Sequence, residues 1–193
     1  MDNQEKLYTG LSKAAWGYFL LLFDINLGNV SILPSFAGCF LLYSALKYLA
    51  EEQRDLLLLR PLGLLLAVWN LANWLLSWLG VNLDGRFLFL DLLISAAGLY
   101  FHFQFLTDMA ALAEKLQKPD SELDRQIRKR RTLYMVLTTL IAVISYLPLP
   151  TEESRSWIIL CLGIVGCIVA FLVMFALFRL RRCVPREEVS FPK

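Results

Sequence analysis

Between Arg155 and Arg179 the chain runs through residues 156–178 without one charged side chain. About 20 apolar residues in a helix cross roughly 30 Å of hydrocarbon, so this run by itself points to a bilayer. The rest of the composition agrees. Of 193 residues, 58% are hydrophobic and 19% charged, against roughly 45–50% and about 25% in an ordinary soluble domain. A soluble protein of this size must keep polar surface to cover itself, and this chain is short of it. The same figures exclude disorder, collagen-like repeats and a secreted disulfide scaffold. The net charge of +2 gives nucleic-acid binding no global electrostatic support.

Five further apolar runs can be marked between charge clusters. Residues 61–80 and 132–148 carry no charge, and 87–107 is broken by Asp91. Residues 11–25 and 34–50 carry Lys13 and Lys47 near their ends, where a lysine can snorkel to water. The pattern predicts an all-α integral membrane bundle, a single domain over residues 1–193, with six transmembrane helices arranged as three hairpins. The opening Met-Asp-Asn-Gln-Glu is acidic and no A-x-A-like site follows the first run, so that run reads as a retained helix rather than a signal peptide.

Charge sets the orientation. The connections after the first, third and fifth runs hold just Arg86 and Arg155 as basic residues, and the other seventeen of the nineteen Lys and Arg fall on the opposite side. The positive-inside rule then predicts both termini in the cytoplasm. Trp74, Trp78, Tyr146 and Trp157 fall near the outer ends and Tyr8, Trp16, Tyr48 and Tyr134 near the inner ends, as headgroup anchors do. Trp69 and Tyr100 are deeper, which suggests packing. The long cytoplasmic connection, residues 115–131, contains Ser121 three residues before Asp124, a helix-start signal. A short cytoplasmic helix leading into the fifth span is expected. Its basic end, Arg125, Arg128, Lys129, Arg130 and Arg131, either fixes topology alone or also contacts anionic lipid.

Polar residues within the runs are the place to look for function, because each is costly in lipid unless partnered. The third run carries Asn70, Asn73 and Ser77 on one face, and the fourth carries Asp91, Ser95, Gly98 and His102 on another. A tight hairpin near Asp84 would align these two faces into a polar seam. The seam is either interhelical glue, with Gly98 allowing close approach, or a pocket for a small solute. Gly163, Gly166, Cys167 and Ala170 on the sixth run, and Ser35, Gly38 and Ala45 on the second, read as packing faces.

Catalytic signatures are sparse. One histidine, no H-E-x-x-H and no C-x-x-C give no metal site and no cofactor site to expect. Cys39, Cys161 and Cys167 read as small apolar packing residues. Asp91 and His102 lie about 16 Å apart by helical rise, too far for joint acid-base work. Asp24-x-Asn26-x-Gly28 starts like a calcium loop but lacks the later glutamate, and reads as a turn. Glu51-Glu52-Gln53-Arg54 has the paired glutamates of intramembrane CAAX-type proteases without their spacing to arginine or their histidines.

Trp16-Gly17-Tyr18, then Phe23-Asp24-Ile25-Asn26-Leu27-Gly28 and Ile32-Leu33-Pro34-x-Phe36-x-Gly38, resemble the opening hairpin of small uncharacterised membrane proteins common in Gram-positive bacteria. The resemblance covers about the first 50 residues and implies a protein of the bacterial cytoplasmic membrane, without supplying a site. The six-helix layout is also similar to the substrate-binding subunits of energy-coupling-factor vitamin transporters. Those dock through an A-x-x-x-A stripe on helix one, whereas Ala14 and Ala15 are adjacent here. The expected function is that of a non-enzymatic accessory or interaction subunit with a membrane-protein partner. The alternative is a small-solute binding or transport protein using a polar pocket between the third and fourth helices.

Overall fold

The computed structural model of the protein describes residues 3–22, 26–27, 30–31, 35–80, 88–146 and 152–184. The first hairpin pairs α1 (Asn3–Leu22) with α2 (Ser35–Leu49). Between them β1 (Asn26–Leu27) and β2 (Val30–Ser31) form a two-residue antiparallel ladder, Asn26 opposite Ser31 and Leu27 opposite Val30. Asn26 thus belongs to a tight ribbon, while Asp24 and Gly28 lie outside the described residues. A 3₁₀ segment (Arg54–Leu59) leads into α3 (Arg60–Trp78), whose first turn accepts Pro61 because an amide there has no partner to lose. Gly80 stops α3 in the left-handed conformation, φ +70°, with its N–H donating to the Ser77 carbonyl at 3.1 Å. The proposed turn at Asp84, together with Arg86, lies outside the described residues.

The second half of the chain is built from longer helices: α4 (Leu88–Leu116), α5 (Leu123–Tyr146) and α6 (Glu152–Arg182). Two expectations change here. α4 does not stop at residue 107 but continues to Leu116, because residues 108–116 keep an apolar stripe that packs into the core. No separate short helix precedes the fifth run either. α5 begins at Leu123 and continues unbroken to Tyr146, so Arg125 to Arg131 occupy its own first turns.

Three helical stretches are long and apolar enough to cross a membrane: Arg54–Trp78, Leu88–Leu116 and Ser156–Arg182. Six were expected. α2 is short at 15 residues, α1 carries Glu5, Lys6 and Lys13, and α5 opens on its arginine cluster. In the three apolar stretches only 28%, 11% and 22% of the most apolar window is buried inside the protein. Trp78, Leu79, Leu88, Phe89, Trp157 and Ile164 face outward. Soluble monomers rarely expose contiguous apolar patches beyond a few hundred Å², so this surface suits lipid.

Helix neighbours follow chain order around a ring. α1 packs on α2 and α6, α2 on α3, α4 on α5, and α5 on α6, while α3 and α4 touch lightly. The core is asymmetric along the bundle. Leu11 and Tyr18 of α1, Leu46 and Leu49 of α2, Phe101, Phe105 and Met109 of α4, and Val173, Leu177 and Leu180 of α6 are buried together with Leu56, Leu59, Leu123 and Ile127. Most of these residues come from the basic end of their element. The tightest helix pair is α1 with α2, where Gly17 faces Gly38. A Cβ added at Gly38 would meet the Gly17 carbonyl oxygen at 2.8 Å, so this crossing needs glycine on both sides. The small residues expected to pack on α6 behave differently. A Cβ at Gly163 would meet nothing within 4 Å, and one at Gly166 would meet Ile141 at 3.9 Å. Cys161 and Cys167 are exposed on the same helix, and only Ala170 of that face is buried.

Candidate functional site

Of the polar residues on the third and fourth runs, Asn70, Ser77 and His102 bond to groups other than one another, and each of these two helices packs chiefly on its other neighbour. Asn70 points at α2. Its Oδ1 accepts from Ser35 Oγ at 3.1 Å, and its Nδ2 donates to the Leu66 carbonyl at 2.8 Å and lies 3.7 Å from Cys39 Sγ. Ser77 Oγ donates to the Trp74 carbonyl of its own helix at 2.7 Å. Asn73 and Asp91 are half-buried on α3 and in the first turn of α4. Gly98 meets Leu66 of α3 only in ordinary contact, 3.8 Å from an added Cβ, so the two backbones do not approach closely there.

His102 turns to α1 and α5. Tyr18 Oη and His102 Nδ1 are hydrogen-bonded at 3.0 Å, and the Tyr134 ring stands edge-on at 5.9 Å. Tyr134, expected as an interface anchor, therefore contributes to a three-helix aromatic cluster with Phe101 and Phe105. Tyr100 was expected to pack, yet its side chain is 56% exposed and faces outward.

Ser95 lies at the border of α4 with α5. With Leu92, Ala96 and Leu99 of α4 it lines a crevice of about 410 Å³ whose other wall is Thr139, Ala142 and Val143 of α5. That volume is in the range of small-molecule sites, but the lining is apolar apart from the two hydroxyls. A hydrophilic solute would have to give up most of its hydrogen bonds to enter.

The basic residues are held by specific partners at one end of the bundle. Lys13 Nζ donates to Ser44 Oγ at 2.8 Å and lies 4.3 Å above the Tyr48 ring. Arg181 reaches Ser12 Oγ at 3.3 Å, and Arg179 reaches Gln126 Oε1 at 3.0 Å. Arg130 donates to the Leu172 carbonyl at 2.6 Å. Arg131 donates to Thr107 Oγ1 at 2.7 Å with its guanidinium 4.4 Å over the Phe103 ring. Arg128 pairs with Glu114 at 2.6 Å and Arg125 with Glu122 at 3.7 Å, exposed pairs of the kind worth 0–1 kcal/mol, ~0.5 in the middle of the range. Lys129 is exposed on the same helix. Glu51 and Glu52 bind Lys6 and Asn3 of α1, which accounts for the paired glutamates structurally.

The loop before α5 is tied by a reciprocal pair. Gln117 Nε2 donates to Asp124 Oδ1 at 2.8 Å, and the Asp124 N–H donates to Gln117 Oε1 at 3.2 Å. The Gln117 amide, with help from the Arg125 N–H and Arg128, holds the Asp124 carboxyl below its ordinary range.

Asp108 is the polar residue that sequence reasoning missed. Only 3% of it is exposed, which makes it the single buried charged side chain among the described residues. Gln104, one turn earlier, donates to its Oδ1 at 3.2 Å and its Oδ2 at 3.4 Å. The signal was present in the i, i+4 spacing of Gln104 and Asp108, which matters once the helix is known to continue beyond residue 107.

No family model, curated protein or solved structure matches this chain.

Proposed function

We propose that the protein is a non-enzymatic multi-pass protein of the bacterial cytoplasmic membrane, acting as an accessory or interaction subunit. Its six helices all cross the bilayer, with both termini inside. The bundle supports the second point because Lys13, Arg60, Arg131, Arg179 and Arg181 gather at one end, through contacts such as Arg181 with Ser12 and Arg179 with Gln126, and that end is cytoplasmic by the positive-inside rule. α1, α2 and α5 gain their place in lipid by packing against the three more apolar helices.

The observation that carries the reading is the way polar groups inside the bundle are used. Asn70 bonds to Ser35 on α2, and His102 bonds to Tyr18 on α1. These side chains hold helices to one another, while the crevice at Ser95 is apolar. Cysteine substitution in a background lacking the four native cysteines tests it. Ser121→Cys reacts with a membrane-impermeant thiol reagent only from the cytoplasm, Arg86→Cys only from outside, and Asn73→Cys not at all. Labelling of Ser121→Cys from outside overturns the topology. Labelling of Asn73→Cys by the aqueous reagent overturns the packing role in favour of a solute path.

A further inference from the structure

The helix faces that wall the α4–α5 crevice continue beyond it. On α4 its residues Leu92, Ala96 and Leu99 recur three and four apart, and the same stripe continues to Phe103 and Thr107. On α5 the wall from Val143 through Thr139 continues to Met135 and Arg131. Both stripes therefore run to one point, the half-buried Arg131, whose guanidinium is stacked on Phe103 and bonded to Thr107. Its Nε is buried without a hydrogen-bond partner, a costly state for a charged donor. From Thr107 back to Leu99 and Ser95 the helical rise is about 12–18 Å, which brackets the ~15 Å of one leaflet's hydrocarbon.

We infer that this crevice holds one anionic phospholipid of the cytoplasmic leaflet. An acyl chain lies between α4 and α5 along Leu99, Ser95 and Thr139, and the phosphate meets Arg131. The charge is complementary, since Lys129 and Arg130 flank the same end of α5 while Arg128 is neutralised by Glu114. Phosphate is also the partner that a guanidinium binds by two parallel hydrogen bonds, and a small outward turn of Arg131 supplies its unpaired Nε–H.

This inference rests on the membrane orientation proposed above, and its test is separate from the thiol labelling. The purified full-length chain in detergent is titrated with phosphatidylglycerol and, in parallel, with phosphatidylcholine of the same acyl chains, and bound lipid is counted by native mass spectrometry. One phosphatidylglycerol per chain is expected, bound several-fold more tightly than phosphatidylcholine. Arg131→Gln should weaken it about fivefold, the value of one basic residue at an anionic surface. Ala142→Phe, which fills the crevice and leaves every charge in place, should weaken both lipids by at least as much, and exposed Arg182→Gln should change neither. Equal binding of the two lipids overturns the site, as does equal loss in Arg131→Gln and Arg182→Gln, or full binding by a folded Ala142→Phe. Displacement of the lipid by soluble glycerol phosphate overturns the role given to the acyl chain.

Discussion

At the crossing of α1 and α2 there is no room for a methyl group. A Cβ at Gly17 would lie 2.9 Å from Leu42 Cγ and 3.1 Å from the Gly38 carbonyl oxygen, and one at Gly38 would lie 2.8 Å from the Gly17 oxygen. Flexible side chains can move aside, but a helix carbonyl cannot without breaking its own ladder. Gly38→Ala is therefore expected to destabilise the protein by about 1–3 kcal/mol, the range for overpacking. Gly163→Ala is the internal control. It has nothing within 4 Å to meet and should be neutral or gain up to about 1 kcal/mol from helix propensity. Denaturant unfolding in a single detergent, followed by circular dichroism, compares the two. A Gly163→Ala loss equal to that of Gly38→Ala would show that glycine as such, rather than the α1–α2 contact, sets the cost. Both glycines were legible in the sequence as small residues on an apolar face. Which of them meets another helix was not, because that depends on where the neighbouring helix lies.

Helices existed largely where the apolar runs placed them, and they ended where local chemistry rather than hydropathy decided. Gly80 stops α3 through its positive φ, whereas α4 continues past residue 107 because Met109, Leu112 and Ala113 still find core. The pairing of elements was the harder matter. Consecutive polar faces on the third and fourth runs suggested partnership, yet α3 docks on α2 and α4 on α5. A sequence lists the hydrogen-bonding groups of each face without saying which face a helix presents to which neighbour. The Asn70–Ser35 bond measures that docking directly. In a double-mutant cycle, Asn70→Leu and Ser35→Ala are expected to couple by about 0.6–1.7 kcal/mol, as interhelical polar pairs in membrane proteins do. A parallel cycle of Asn70→Leu with Ser95→Ala should give no coupling, since Ser95 lines the α4–α5 crevice. Coupling to Ser95 and none to Ser35 would restore the seam between α3 and α4.

Across the whole molecule, burial and basic charge share one end, while the turns of α3, α4 and α6 at the opposite end carry exposed Trp78, Leu88, Phe89, Trp157 and Ile158. In the bilayer orientation proposed above, each end is thus held by a different solvent. The basic end has its own core of Phe105, Met109, Leu123 and Leu177, together with the bonds of Arg130, Arg131, Arg179 and Arg181. At the other end the described residues of these helices are largely exposed, and in the bilayer proposed above their backbone hydrogen bonds are protected only as long as lipid excludes water. Local opening follows the density of such buried contacts. Amide hydrogen exchange on the protein in lipid nanodiscs should therefore find residues 88–95 and 156–163 protected about as well as 101–113 and 169–180. In mild detergent the first pair of segments should exchange much faster while the second pair holds. Uniform protection in both media would mean that the outer ends close on a core of their own, and uniform loss would mean that the basic end also depends on lipid. The contrast between segments, rather than the absolute rate, identifies the bilayer as the structural partner of the outer half.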